Sequence, residues 1–542
     1  MVTSGGHMLT CGEAAVRLLA DYGVGVVFGI PGAQTLELYR GLSSSAIRHI
    51  PTRHEQGAGF MADGFARSSG TPGVCFVIGG PGVTNVTTPM GQAYSESVPM
   101  LVLSGVGRTD RLGMGRGTAH ELRDQSGLVA QVAASSHTVL TPEQLPELVA
   151  GAFATFACAR PRPVHIEIPT DVAEMPADFE PVAWPTPSPP SPQPSAIAEA
   201  ARLLASAERP AVVLGGGTVN AARQARDVVE MLCSPTVLTT NAKGILPRGH
   251  RLSLGSNLQF APVRSYVESA DVVLAVGTEF SETDTMLFET NLHLRGQLIR
   301  IDIEPSQLAR TQRPTLAILS DAREGLAALT EALLGASRDR SRSEEEAAGL
   351  VRAIRTEVQD HWWPGVAAFA RLLDVITDSL PGALIVGDST QPAYAFDHLF
   401  EPPEPRSYMT ATMGYGTLGF ALPAAMGAKL GSPSRPVVAV IGDAGIQFTL
   451  PELATAVQEH IPVVVLVWRN RGYEEIRFLM AEKGIPSAGF DIDSPDYVRL
   501  AQAFGCQAAV ARDGDDLSRL LAESSGLDVP LVVGIGEEAL CE

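Results

Sequence analysis

VVAVIGDAGIQFTLPELATAVQEHIPVVVLVWRNRGYEEI, residues 437–476, decides the fold. An apolar, β-branched run ends at Gly442-Asp443-Ala444-Gly445, a helical stretch follows from about Leu450 to His460, and a second run, Val463–Trp468, opens into Arg469-Asn470-Arg471-Gly472. Short, continuously apolar runs bounded by glycine read as strands buried on both faces. Two of them joined by a helix make the crossover of a parallel sheet, which is right-handed. That hand brings Asp443 and Asn470, 27 positions apart, close together at the carboxyl ends of their strands, where open α/β sheets bind ligands.

The same rhythm runs through the chain. VVFGI, VCFVIGG, MLVLSG and PVHIEIP are the strand candidates of a first segment; AVVLGGG, TVLTT, VVLAVG and LIRIDIEP of a second; ALIVGD, VVAVIGD, VVVLVW and LVVGIG of a third. Two composition breaks separate the segments. Seven prolines fall between Pro181 and Pro194, a stretch that continues neither a helix nor a central strand. SRDRSRSEEE, Ser337–Glu346, is charged and serine-rich, either a solvated link or the start of a helix. The expected organisation is α/β, with three domains at 8–180, 195–336 and 347–542, each a mainly parallel sheet flanked by helices.

Composition bounds the function. The chain has 542 residues, 45% hydrophobic and 18% charged, which is globular and multidomain rather than disordered or fibrous. A net charge of −20 argues against nucleic acid, whose phosphates require a basic surface. It leaves room for an anion held by backbone N–H groups and a metal. No apolar run reaches a membrane span, and the opening MVTSGGHM lacks the basic and apolar regions of a signal peptide. Six cysteines without a C-x-x-C pair fit a reduced, cytoplasmic setting and no zinc site.

One carboxylate, from Asp443, one amide oxygen, from Asn470, and a free carbonyl make a poor metal cage by themselves. They suit Mg²⁺ when diphosphate oxygens and water complete the octahedron. The plainer alternative is a helix-capping aspartate and an asparagine in a turn. The pattern Gly442-Asp443-Ala444, then this interval, then Arg469-Asn470 resembles thiamine diphosphate enzymes of the acetolactate synthase and 2-oxo acid decarboxylase group, whose signature is Gly-Asp-Gly followed by Asn-Asn. The resemblance implies that Asp443, Asn470 and Gly472 hold the metal, with Gly442, Ala444, Gly445 and Tyr473 lining the diphosphate. Ala444 is acceptable there if its φ is negative.

The resemblance extends to both outer segments. Ile50-Pro51-Thr52-Arg53-His54-Glu55 matches the stretch bearing the family's cofactor-activating glutamate, which implies that Glu55 shares a proton with the aminopyrimidine. Phe28-Gly29-Ile30-Pro31-Gly32 and Gly79-Gly80-Pro81-Gly82-Val83-Thr84-Asn85 look like pyrimidine-side loops, so Gly29, Pro31 and Gly32 are cofactor candidates; each is also a plain strand-to-helix turn. Met413-Gly414-Tyr415-Gly416-Thr417-Leu418-Gly419 resembles the loop that bends the cofactor, with the Gly416 carbonyl accepting from the 4′-amino group and Leu418 as the wedge. Ser389, Thr390 and Gln391 would contact the diphosphate. Gln92 would face the reacting carbon, and His120 would donate a proton or merely pack, packing being preferred.

Within the group, YRGL near Tyr39, HELRDQ from His120, ARPRPVHIEIP from Ala159 and RGYEEIRFLM from Arg471 look closest to 5-guanidino-2-oxopentanoate decarboxylases. A guanidinium tail calls for acidic partners, for which Glu121, Asp124, Glu474 and Glu475 are the candidates, Glu475 and Glu121 leading. The implied activity is non-oxidative decarboxylation of a 2-oxo acid with thiamine diphosphate and Mg²⁺. The alternatives are an acetolactate synthase-type carboligase or a catalytically silent cofactor-binding relative. The family pairs the glutamate domain of one subunit with the diphosphate domain of another, which implies a homodimer or homotetramer. Gly215-Gly216-Gly217, Gly277 and Asp302 in the middle segment lack a full G-x-G-x-x-G, so FAD is possible but a structural role is favoured.

Overall fold

The computed structural model describes residues 8–288, 291–335, 343–486, 489 and 492–540. The opening residues 1–7 and most of the Ser337–Glu346 break lie outside them. Three sheets form, and every strand pairing given for them is parallel, apart from isolated bridges.

The first sheet comprises β1 (Val26–Gly29), β2 (Arg48–Pro51), β3 (Gly73–Val77), β4 (Met100–Val106), β5 (Ser135–Thr138) and β6 (Val164–Pro169), in the order β2-β1-β3-β4-β6-β5. The second comprises β7 (Pro210–Leu214), β8 (Thr236–Leu238), β9 (Val272–Val276), β10 (Gln297–Asp302) and β11 (Leu316–Leu319), in the order β11-β10-β9-β7-β8. The third comprises β12 (Leu384–Gly387), β13 (Tyr408–Thr410), β14 (Val437–Gly442), β15 (Val464–Trp468), β16 (Gln507–Val510) and β17 (Leu531–Ile535), in the order β13-β12-β14-β15-β17-β16.

All twelve apolar runs read from the sequence are strands. The five strands it did not announce, β2, β5, β11, β13 and β16, are all sheet edges. Edge strands bury less, so their sequences carry little of the signal that marks a central strand. Alternation still shows in the interior: Val212 and Leu214 of β7 enter one buried cluster, and Ala211 and Val213 the cluster on the opposite face.

By contact, the chain forms two compact units. One is Met1–Pro187, Val375–Ala393 and Thr410–Glu542; the other is Ser188–Asp374 and Tyr394–Met409. The first sheet and strands β12, β14, β15, β16 and β17 of the third therefore share a unit. Their seam is a helix pair, Glu55–Ser69 against Ala421–Gly431. A Cβ on Gly64 would stand 1.9 Å from the Ala424 carbonyl oxygen, and one on Gly427 would stand 1.9 Å from that of Met61. Only glycine permits this approach. The edge-on pair Phe60–Phe420, 5.4 Å between centroids, packs in the same seam.

The charged, serine-rich break runs into a helix. Helix Glu344–Gln359 begins within it, with a capping box between Ser343 and Glu346. Its Ala347, Val351, Ile354 and Val358 are buried in the middle unit's cores, so the helix belongs there. The helix expected over Leu450–His460 is shorter, Glu452–Gln458, with a 3₁₀ turn Gly445–Phe448 before it. Among the described residues, no helix is long and apolar enough to cross a membrane.

Candidate active site

Gly442 and Trp468 are ladder partners, so Asp443 and Arg469-Asn470 leave the sheet side by side. Asp443 is 1% exposed. Its N–H donates to the Trp468 carbonyl at 2.9 Å. Its Oδ2 accepts from the Arg471 N–H at 2.8 Å and from the Ser494 hydroxyl, and its carbonyl accepts from the Tyr497 hydroxyl. Ala444 has φ −75°, an ordinary value that a Cβ tolerates.

The Asn470 side-chain oxygen lies 3.3 Å from Asp443 Oδ1 and 3.1 Å from the Gly472 carbonyl oxygen. Three acceptors thus face one another with no proton between them. Turning the amide over would relieve this, with the nitrogen donating to both; a cation relieves it equally well. One carboxylate, one amide oxygen and one peptide carbonyl are hard ligands of the kind Mg²⁺ takes, so the residues fit that ion. Around them, Asn470 Nδ2 donates to Gln391 Oε1 at 3.4 Å, and a Cβ on Gly442 would meet Thr390 Oγ1 at 3.2 Å. A Cβ on Gly445 would meet Asp388 Oδ1 at 3.2 Å, while Tyr473 caps helix Glu474–Glu482.

The loop before helix Ala421–Gly431 is held from several sides. Asp388, fully buried, accepts from the N–H groups of Ser389 (3.0 Å), Gly419 (3.2 Å) and Ala421 (2.9 Å). Burial pushes its carboxyl up to about 6 against those donors. Thr449 Oγ1 donates to the Gly419 carbonyl at 2.8 Å. The Ser389 hydroxyl, expected on the diphosphate, is within reach of the Ala411 and Thr417 carbonyls at 3.2 and 3.3 Å, so it fastens this loop. Gly416, at φ 70°, is exposed, and Leu418 is half-buried.

Glu55 opens helix Glu55–Ser69 and is buried. His54 caps that helix, its Nδ1 accepting from the Gln56 N–H at 3.1 Å. Asn85 Nδ2 donates to Glu55 Oε2 at 2.9 Å, which fixes the carboxylate's direction. A Cβ on Gly82 would lie 3.5 Å from Glu55 Oε1. Gly29 and Gly32 do packing work: a Cβ would stand 1.9 Å from the Phe76 carbonyl oxygen and 2.2 Å from Ile78 Cγ2, respectively. Pro31 between them is exposed.

The other candidate residues have these surroundings. Gln92 is fully buried and bonded to Met413 and Thr417, so it does not face a reacting carbon within its own chain. His120, preferred as a packed residue, is exposed and has φ 63°; a Cβ on Gly80 would stand 2.8 Å from its carbonyl oxygen. Glu121 accepts from the N–H groups of Thr118 (3.0 Å) and Arg116 (3.2 Å); these bonds hold its carboxyl below its usual value and commit it to its own loop. Asp124 caps helix Gln125–Val129, accepting from the Gly127 N–H at 2.7 Å. Glu474 pairs with Arg477 at 2.9 Å. Glu475 is exposed beside it.

The middle segment's glycines have a structural use. A Cβ on Gly215 would stand 2.1 Å from the Gly277 carbonyl oxygen, and one on Gly217 would stand 2.9 Å from Gly277 Cα, so these residues let two loops touch.

The sequence reading missed Glu452, which is fully buried. Its Oε1 accepts from the N–H groups of Arg53 and His54, both at 3.0 Å, and its Oε2 from Arg53 N–H at 3.2 Å and Thr455 Oγ1 at 2.7 Å. It holds the turn directly before Glu55. Burial pushes its carboxyl up to about 7, opposed by these donors. In PELATA it looks like any first-turn glutamate, because its partners lie 399 and 398 positions away.

Three family models match the chain: "Thiamine pyrophosphate enzyme, N-terminal TPP binding domain" over residues 9–128, the central domain over 197–329, and the C-terminal TPP binding domain over 388–535. The chain is 46% identical over 522 residues to the "Probable 2-ketoarginine decarboxylase AruI" of Pseudomonas aeruginosa, covering 96% of this chain and 92% of that one. It is 33% identical to the acetolactate synthase isozyme 3 large subunit of Escherichia coli (92% and 89% covered) and 30% identical to the isozyme 1 large subunit (99% and 95%). With its three parallel sheets, a buried Glu55 and the oxygen cluster at Asp443, the chain belongs to the thiamine pyrophosphate enzyme family.

Proposed function

We propose that the protein decarboxylates 5-guanidino-2-oxopentanoate, or 2-ketoarginine, non-oxidatively to 4-guanidinobutanal and CO₂, using thiamine diphosphate and Mg²⁺. The observation that carries this is the near-full-length similarity to a protein named for that reaction, joined to the Glu55, Asp443, Asn470 and Gly472 arrangement. When bound, thiamine diphosphate supplies a carbanion for the 2-oxo carbon and an electron sink for loss of CO₂.

The chain's own residues do the rest. Glu55, aimed by Asn85, would share a proton with the aminopyrimidine. Asp443 Oδ1, Asn470 Oδ1 and the Gly472 carbonyl would hold Mg²⁺, with Gly442, Ala444, Gly445, Thr390, Gln391 and Tyr473 nearest the diphosphate. Gly416 and Leu418 would receive the bent cofactor, and Gly29, Pro31 and Gly32 the pyrimidine. Glu475, whose neighbour Glu474 already has Arg477, is the acid we assign to the guanidinium.

A homodimer or a homotetramer is part of this reading, and so is a cytoplasmic location. Helix Glu474–Glu482 supports a second subunit: it buries none of its residues, and Phe478 is 71% exposed. The test is a panel of 2-oxo acids with the holoenzyme, scoring CO₂, aldehyde and carboligated product. Best turnover of the guanidino acid to aldehyde is expected. Faster use of pyruvate with acetolactate as product would replace the proposal by the carboligase that the 30–33% identical relatives suggest.

A further inference from the structure

Helix Pro81–Ser95 carries Asn85, which holds Glu55, and Gln92 seven positions on. Seven residues are two helical turns, so both side chains lie on one face. Gln92 is fully buried and uses both ends of its amide. Nε2 donates to the Met413 carbonyl at 3.3 Å, and Oε1 accepts from Thr417 N–H at 3.4 Å and Thr417 Oγ1 at 3.2 Å. One side chain thus spans the loop from Met413 to Thr417.

The helix around Gln92 forms the bed of that loop. A Cβ on Gly91 would lie 2.7 Å from Tyr415 Cζ, and a Cβ on Gly414 would lie 2.9 Å from Ser95 Cβ. Past Thr417, Gly419 is bound through Asp388 and Thr449. Leu418 is therefore the one residue between two anchored neighbours, while Gly416 stands out on the exposed side.

We propose that Gln92 is a positioning residue for cofactor binding: it holds the loop 413–418 in the shape that presents the Gly416 carbonyl and the Leu418 side chain to thiamine diphosphate. The inference rests on the thiamine diphosphate reading above. It replaces a side chain on the reacting carbon by one that acts through the backbone of another segment. It also makes one helix responsible for aiming Glu55 and for shaping a cofactor-bending loop that, in the paired subunits read above, belongs to a different active site from that Glu55.

The test uses full-length wild type, Gln92→Ala and Gln92→Glu. Glutamate keeps an acceptor for Thr417 but loses the donor to Met413. Thiamine diphosphate affinity with Mg²⁺ is measured by calorimetry, hydrogen exchange of the cofactor-free protein by mass spectrometry, and stability by thermal midpoint. The expected result is a Kd raised about tenfold in Gln92→Ala and less in Gln92→Glu, the loss of roughly one or two hydrogen bonds. Exchange should quicken in the peptide covering 413–418 and stay unchanged along helix Pro81–Ser95. An unchanged Kd in the folded variants, with or without a lowered midpoint, would overturn the positioning role. If Gln92→Ala does not fold, Gln92→Glu decides by the same two readouts. Failure of wild type itself to bind thiamine diphosphate would instead sink the parent reading.

Discussion

Asp443 and Glu452 lie nine positions apart in one strand–helix segment and are almost equally buried, yet they are opposites. Both oxygens of Glu452 face donors supplied by Arg53, His54 and Thr455. Asp443 has donors on Oδ2, while Oδ1 lies 3.3 Å from the Asn470 amide group. A buried carboxylate whose acceptors are all met by its own chain is a structural tie. An oxygen that stands instead beside an amide group and a peptide carbonyl, as Asp443 Oδ1 does, has the neighbours a hard cation would take.

The largest effect should come from the residue that the Glu452 tie serves. Glu55→Gln is expected to cut turnover about a thousandfold, within the range of lost proton transfer, while the holoenzyme still binds cofactor. Steady-state kinetics beside a binding isotherm would check this, and unchanged turnover would mean that Glu452 holds a turn of no catalytic use. Next, Asp443→Asn should weaken Mg²⁺-dependent binding of thiamine diphosphate by about a hundredfold, at the upper end of what metal-site changes usually cost. The cofactor-free variant should lose no thermal stability, since it removes a charge from a group of acceptors. A large drop in its midpoint would make Asp443 another tie.

Glu452→Gln should behave the other way, losing about 2 kcal/mol at neutral pH because buried N–H groups lose an acceptor. Its pH dependence sharpens the contrast. The folded-state pKa of Glu452, about 7, lies above its ordinary value of 4.5. The stability linked to that raised pKa is fully present below about 4.5 and is lost as pH rises through about 7. Denaturant titrations across that window should show a downward slope in wild type that is missing from Glu452→Gln. The smallest effect is expected at the rim: Glu475→Gln should raise KM for 5-guanidino-2-oxopentanoate about tenfold and leave uncharged 2-oxo acids alone, in keeping with one charge-assisted hydrogen bond.

The same division explains what could be read in advance. Central strands such as Val437–Gly442 and Val464–Trp468 announce themselves because burial on both faces demands continuous apolar sequence. Ser135–Thr138 and Gln507–Val510, at the edges, bury little and read as loops. Glu55, Asp443 and Asn470 could be singled out because each sits in a short local motif, and the ladder pairing places the last two side by side. The local bonds of Glu121 and Asp124 depend on turn geometry that the sequence leaves open, and the partners of Gln92 lie 321 and 325 positions away. Glu452 and Asp388 were invisible for the same reason: each is an acid in an unremarkable turn until the fold brings remote N–H groups to it.

The seam between helices Glu55–Ser69 and Ala421–Gly431 bears on how such a chain can be recombined. Backbone meets backbone there at Gly64 and Gly427, with no space for one added methyl group. The two helices can be inherited from a foreign parent only as a matched pair, although more than 350 positions separate them. A chimera that takes the first third from one relative and the last third from another splits that pair. A crossover pair set in the proline-rich stretch 181–194 and ahead of Val375 exchanges the interior of the gene and keeps the pair whole.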